Sequence, residues 1–169
     1  MVLRNLMAAA QREGRTTLLS IHEDVELLRR IPMFAKVDPA KLKLLAFTSE
    51  RVTFDADQEL FHQGDAADAA YIVVDGSTEV IVDSPRGPLV VAALGKNALI
   101  GDIGILCDIP RTATVKAVSR VTTLKIAKDL FLRMLIDFPT MGVEVMRELA
   151  HRLEKTTADL REARSRMTQ

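Results

Sequence analysis

The sequence has no tryptophan, one tyrosine and one cysteine among its 169 residues. A lone Cys107 cannot close an internal disulfide, which excludes a small disulfide-stapled scaffold and fits a reducing compartment. No basic neighbour in the sequence marks that thiol as a redox switch, so it reads as a neutral filler. The three histidines, His22, His62 and His151, are far apart and offer no metal-ligand spacing, which argues against a metal-dependent jelly-roll enzyme. Walker loop, dinucleotide fingerprint and Ser-His-Asp arrangement are all missing, so no catalytic residue, metal or cofactor is expected. An excess of one charge is missing too. With 23 basic residues against 23 acidic ones and no dense Lys/Arg block, binding to nucleic acid or to a membrane surface is not expected. No apolar run approaches the ~20 residues a membrane-spanning helix needs. After Arg4, the short stretch from Leu6 to Ala10 gives way to Gln11, Arg12 and Glu13 before any signal-like core develops, so a cytoplasmic location is expected.

What remains is 48% apolar and 27% charged, the composition of a globular domain. A chain of this size buries roughly two thirds of its unfolded surface and needs no disulfide or metal to hold its core. Ser20 with Glu23 resembles a capping box, followed by the stripe Val25, Leu27, Leu28 and Ile31, which predicts a helix over about 20–31. Asp38-Pro39 predicts a second helix over about 39–48. Short apolar or alternating runs follow at Glu59–His62, Tyr71–Val74, Thr78–Val82, Leu89–Leu94, Thr112–Val118 and Val121–Ile126, separated by Gly, Pro, Asp and Asn turn residues. Helical periodicity returns at Lys128–Asp137 and again beyond Pro139. Many short strands at this spacing indicate a sandwich or closed roll, so the fold class is α+β: an antiparallel, jelly-roll-like β-roll flanked by N-terminal helices and a C-terminal helix. Its parts divide as an N-terminal helical segment (1–30), the roll (31–138) and the C-terminal helix (139–169).

In that last helix Met146, Leu149, Leu153, Thr156, Leu160, Ala163 and Met167 form a heptad seam. Its first part, Met146 to Leu153, is expected to pack on the roll, whereas a second helix is the better partner beyond Leu160. Glu148 with Arg152, and Glu162 with Arg166, read as i,i+4 pairs on the outer surface.

One segment departs from core-and-turn logic: Ile100-Gly101-Asp102-Ile103-Gly104-Ile105-Leu106, then Pro110-Arg111-Thr112-Ala113-Thr114-Val115. Gly101 and Gly104 let backbone approach a ligand, and a helical turn after Asp102 aims N–H groups at negative charge. Arg111 can grip two phosphate oxygens in a fork, with the Thr112 hydroxyl beside it. A bare phosphate would be repelled by Asp102. A phosphate joined to a ribose, whose hydroxyl donates to the carboxylate, satisfies both groups.

The segment resembles the phosphate-binding cassette of the cyclic nucleotide-binding domain family, roughly F-G-E-[LI]-A-L followed by P-R-[AST]-A-T-V. Nine positions separate Gly101 from Pro110, as in the family's common form. The likeness extends from about Ile31 to Leu153. Asp102 stands where the pattern has Glu, and Ile100 where Phe is common. The resemblance implies that Arg111 binds the cyclic phosphate, that Asp102 binds the ribose 2′-hydroxyl, and that backbone around Gly101, Ile103, Gly104, Thr112 and Ala113 completes the cradle. Base contacts are expected from Val80 and Val82. It further implies a non-catalytic sensor of cAMP, with cGMP as the alternative, whose C-terminal helix relays binding in signal transduction. That helix is expected to act as a lid; with no Trp or Tyr to stack on a purine, its capping is aliphatic or comes from a partner chain. The roughly thirty residues after Pro139 are too few for a helix-turn-helix domain, so output through a protein partner or a homodimer is expected. The competing reading is a nucleotide-independent interaction module with a degenerate cassette.

Overall fold

The computed structural model describes residues 20–168. The expectations for Arg4, for Leu6–Ala10 and for the rest of 1–19 lie outside the described residues. Helix α1 occupies 20–29; Ser20 is itself helical rather than the cap before the helix. A 3₁₀ turn at Pro32–Phe34 leads to α2 (Pro39–Thr48), where the Asp38 carboxylate accepts the Ala40 N–H at 2.8 Å.

Eight strands follow: β1 (Glu50–Phe54), β2 (Glu59–Phe61), β3 (Ala69–Asp75), β4 (Thr78–Val82), β5 (Leu89–Leu94), β6 (Leu99–Ile100), β7 (Thr114–Ala117) and β8 (Val121–Ala127). A short helix, α3 (Asp102–Leu106), interrupts them after β6. They form two antiparallel four-stranded sheets, ordered β1-β8-β3-β6 and β2-β7-β4-β5. Two of these strands, β1 and β6, were not expected, and β7 is shorter than the run Thr112–Val118 suggested. Arg111 and Thr112 are therefore left in the irregular approach to the sheet.

The near-continuous apolar run of β3 has a structural cause. Successive side chains of a strand point to opposite faces. Ala70, Ile72 and Val74 face the helices, in a core with Leu28, Phe34, Leu42, Leu45 and Phe131. Ala69, Tyr71 and Val73 face the roll interior with Leu60, Ile100, Val115, Ala117 and Val121. Both faces of β3 are dry, so it has no polar alternation to show.

Helix α4 (Lys128–Asp137) packs Phe131 and Met134 into the helical core, and α5 (Pro139–Met167) adds Met141 and Val145, with Leu149 partly buried. The expectation for the start of the seam is overturned here. Met146 is 63% exposed and Leu153 68% exposed, because the i, i+4, i+8 stripe Met141–Val145–Leu149 takes the core-facing side. Met146, Leu153, Leu160 and Met167 are all exposed.

Candidate functional site

Backbone geometry builds the cradle. Gly101 caps α3 in the left-handed conformation (φ +83°), and a Cβ there would collide with Arg111 Nη1, so only glycine serves both the turn and the arginine. Gly104 is a packing glycine: a Cβ would stand 2.7 Å from that of Ala67 and 3.2 Å from the Ile109 carbonyl. The Arg111 backbone is pinned to the turn at Gly64-Asp65, donating to the Asp65 carbonyl and accepting from the Gly64 N–H, both at 2.8 Å.

The Arg111 side chain is aimed inward and is almost wholly buried. Nη1 donates to the Gly101 carbonyl at 3.0 Å; Nη2 donates to the Ala69 carbonyl at 2.6 Å and to Asp68 Oδ1 at 3.3 Å. The guanidinium lies 4.1 Å over the Phe61 ring, and Phe61 rests against Tyr71 at 6.0 Å. Burial pulls the Arg111 pKa down, while the Tyr71 and Asp68 charges oppose that pull; burial also pushes the Tyr71 hydroxyl up. Arg111 Nε is buried with no hydrogen-bond partner. An orphaned donor on a buried cation is costly, and an anionic acceptor removes that cost.

Asp102, in the first turn of α3, is equally buried. Both of its oxygens accept from Nη1 of Arg152 on α5 at 3.1 Å, while Arg152 Nη2 donates to the Leu99 carbonyl at 2.9 Å. The expected pairing of Arg152 with Glu148 is present at 3.3 Å through Nε, but the guanidinium head turns into the roll rather than remaining on the outer surface.

These groups surround a cavity of about 110 Å³. Ile100, Gly101, Asp102, Ile103 and Gly104 line one side, Arg111, Thr112 and Ala113 another, and Val80 contributes from β4. Val82 does not line it. The pairing of β4 with β7 ends at Ile81 opposite Thr114, so Val82 lies beyond the reach of β7 and pairs only with Leu89 of β5. Sequence reasoning missed Phe61, Leu99, Val115 and Arg152, which also face the cavity. Phe61 carried a faint signal as the aromatic just before the Gly64-Asp65 turn; Arg152 carried none beyond its ion-pair spacing.

A roll with a glycine-turned cradle, a buried arginine and a covering helix defines a regulatory class of domain built around a small, half-open site. The family model described as cyclic nucleotide-binding domain matches residues 51–137, just over half of the chain, and the chain belongs to that family. Its relatives include an uncharacterized NTE family protein of Mycobacterium tuberculosis, 34% identical over 129 residues, a match covering 76% of this chain and 22% of that protein. A CRP-like cAMP-activated global transcriptional regulator of the same species is 25% identical over 136 residues, covering 80% of this chain and 61% of that one. The chain thus spans less than two thirds of the length of these curated relatives. Among solved structures, the N-terminal domain of a transcriptional regulator from Streptomyces coelicolor A3(2) is 34% identical with a TM-score of 0.61, over 77% of this chain and 94% of that one. None of the described helices is long and apolar enough to cross a membrane.

Proposed function

We propose that this domain is a non-catalytic sensor of a cyclic nucleotide, cAMP ahead of cGMP. In this reading Arg111 holds the cyclic phosphate and Asp102 accepts from the ribose 2′-hydroxyl. The observation that carries it is the buried, partnerless Nε of Arg111 on the wall of a cavity that also contains the Asp102 carboxylate. One group suits an anion and the other a neutral donor. The relay runs through α5, whose exposed stripe is free to meet a protein partner or a second copy. A ligand drives such a relay only by binding one position of α5 more tightly than another.

The second reading, a nucleotide-independent interaction module, draws on two observations. The Asp102 carboxylate is already paired with Arg152, and Met146, Leu153, Leu160 and Met167 form an uncovered apolar face. Calorimetric titration of the full chain with cAMP and with cGMP separates the two. The sensor reading expects saturable heat with at least one nucleotide; no heat with either at high micromolar concentration selects the interaction module.

A further inference from the structure

Beyond Leu149, only Arg152 and Thr157 of α5 are even partly covered among the described residues, and of these two only Arg152 hydrogen-bonds outside its own helix. The distal half of α5 is thus tied to the roll through one guanidinium. The tie ends on the carboxylate that the sensor reading assigns to the sugar. It is also well made: Arg152 spends Nη1 on both Asp102 oxygens, Nη2 on the Leu99 carbonyl and Nε on Glu148. Asp102, at 3% side-chain exposure, needs that positive partner while the helix is docked.

The space left is small. The cavity holds about 110 Å³ with the Arg152 head as part of its wall, against the ~300–1,000 Å³ of an ordinary small-molecule cleft. A nucleotide and the docked Arg152 head compete for the same volume and the same carboxylate.

We propose that the Arg152–Asp102 ion pair is an autoinhibitory latch: a nucleotide reaches its site only by expelling Arg152, so ligand entry and release of α5 from Arg152 onward are one event. The proposal rests on the cyclic nucleotide reading for its ligand, though not for its helix. Linkage makes the effect reciprocal, since whatever holds Arg152 on Asp102 weakens the ligand by the same factor. It also separates Arg152 from an ordinary contact residue, because removing a competitor strengthens binding where removing a contact weakens it.

The test uses the full chain, its Arg152→Met variant, which keeps the apolar stem and the helix propensity, and its Asp102→Asn variant. Without nucleotide, both variants are expected to exchange their amide hydrogens faster across 150–167, with α4 and β3 unchanged. In titrations with cAMP and cGMP, Arg152→Met is expected to bind on the order of tenfold more tightly, within the usual span of coupling between sites, and Asp102→Asn more weakly. Unchanged exchange in both variants overturns the latch. Weaker binding by Arg152→Met also overturns it, by making Arg152 a ligand contact. If none of the three proteins takes up either nucleotide, the sensor reading fails, and the exchange result still decides whether the ion pair holds the helix.

Discussion

At the scale of residues, the site is a contest between solvation and charge. A guanidinium as buried as Arg111 is kept in place by the Gly101 and Ala69 carbonyls and the Phe61 face, which orient it without neutralising it. Its one anionic partner among the described residues, Asp68 at 3.3 Å, is largely exposed to solvent. Removing it from a liganded site leaves a desolvated phosphate unpaired, so Arg111→Ala is expected to cost about 2–5 kcal/mol of nucleotide affinity. Calorimetry reads this directly, and an unchanged affinity contradicts the site assignment. Arg111→Lys keeps the charge but loses the fork and the stacking, so it is expected to restore only part of the loss. Thr112 is exposed at the cavity edge, where its hydroxyl can serve a guanine amino group. Thr112→Ala is therefore expected to weaken cGMP more than cAMP; equal losses remove that role. Most of the cavity wall was legible in the sequence because it is local: Gly101, Asp102 and Arg111 lie within one short segment. Arg152 was not legible. It sits fifty residues from Asp102 on a helix where spacing to Glu148 explains it fully, and only the docking of α5 shows its second partner.

At the scale of elements, the cassette is a strand, a left-handed glycine and a single short helix. Gly101→Ala must strain the backbone and strike Arg111, so a loss of about 1–3 kcal/mol in unfolding free energy is expected from denaturant titration. A stability equal to the parent's shows that the turn can be remade. The segment after α3 is tethered to α4 by Lys128 Nζ, 2.6 Å from Asp108 Oδ1. That hydrogen bond first, and the ammonium charge second, hold the Asp108 carboxyl below its ordinary 3.8. A depressed carboxylate adds stability above its unfolded value and loses it as pH falls through the folded value. The tether is accordingly intact at neutral pH and fails only in acid below 3.8. Lys128→Met is expected to raise the Asp108 value toward 3.8, read by NMR titration of the carboxyl carbon. Which elements the sequence revealed follows from their length and exposure. Helix α2 carries Asp38-Pro39 at its start, and α4 a clear period. Strand β6 has two residues, too few for any period, and exists through pairing with Tyr71 and Ile72. Strand β1 buries none of its residues fully, so its pattern is weak. In α5 two apolar stripes compete, and periodicity alone does not say which one meets the core.

At the scale of the whole molecule, the order of helices, roll and helices was readable, because turn residues and changes of period mark every border. The allocation of α5 was not readable from the chain alone. Its inner stripe closes the helical core and its outer stripe remains wet, an arrangement that suits a partner helix. Asp159 and Arg164 flank the outer seam with opposite charges, which favours a parallel copy of the same helix. Light scattering on the full chain is expected to show a mass above the monomer, returned to the monomer by Leu153→Glu with Leu160→Glu. A monomer in both cases rules out a second copy as the stripe's partner.

The account stands or falls on what Arg111 and Asp102 hold. A crystal structure of the full chain grown with cAMP measures it most directly. The expected result is the cyclic phosphate within hydrogen-bond distance of the Arg111 guanidinium, the ribose 2′-hydroxyl on Asp102, and Arg152 withdrawn from the cavity. An empty cavity at saturating nucleotide, or a nucleotide bound elsewhere with Arg111 still closed on Gly101 and Ala69, contradicts it.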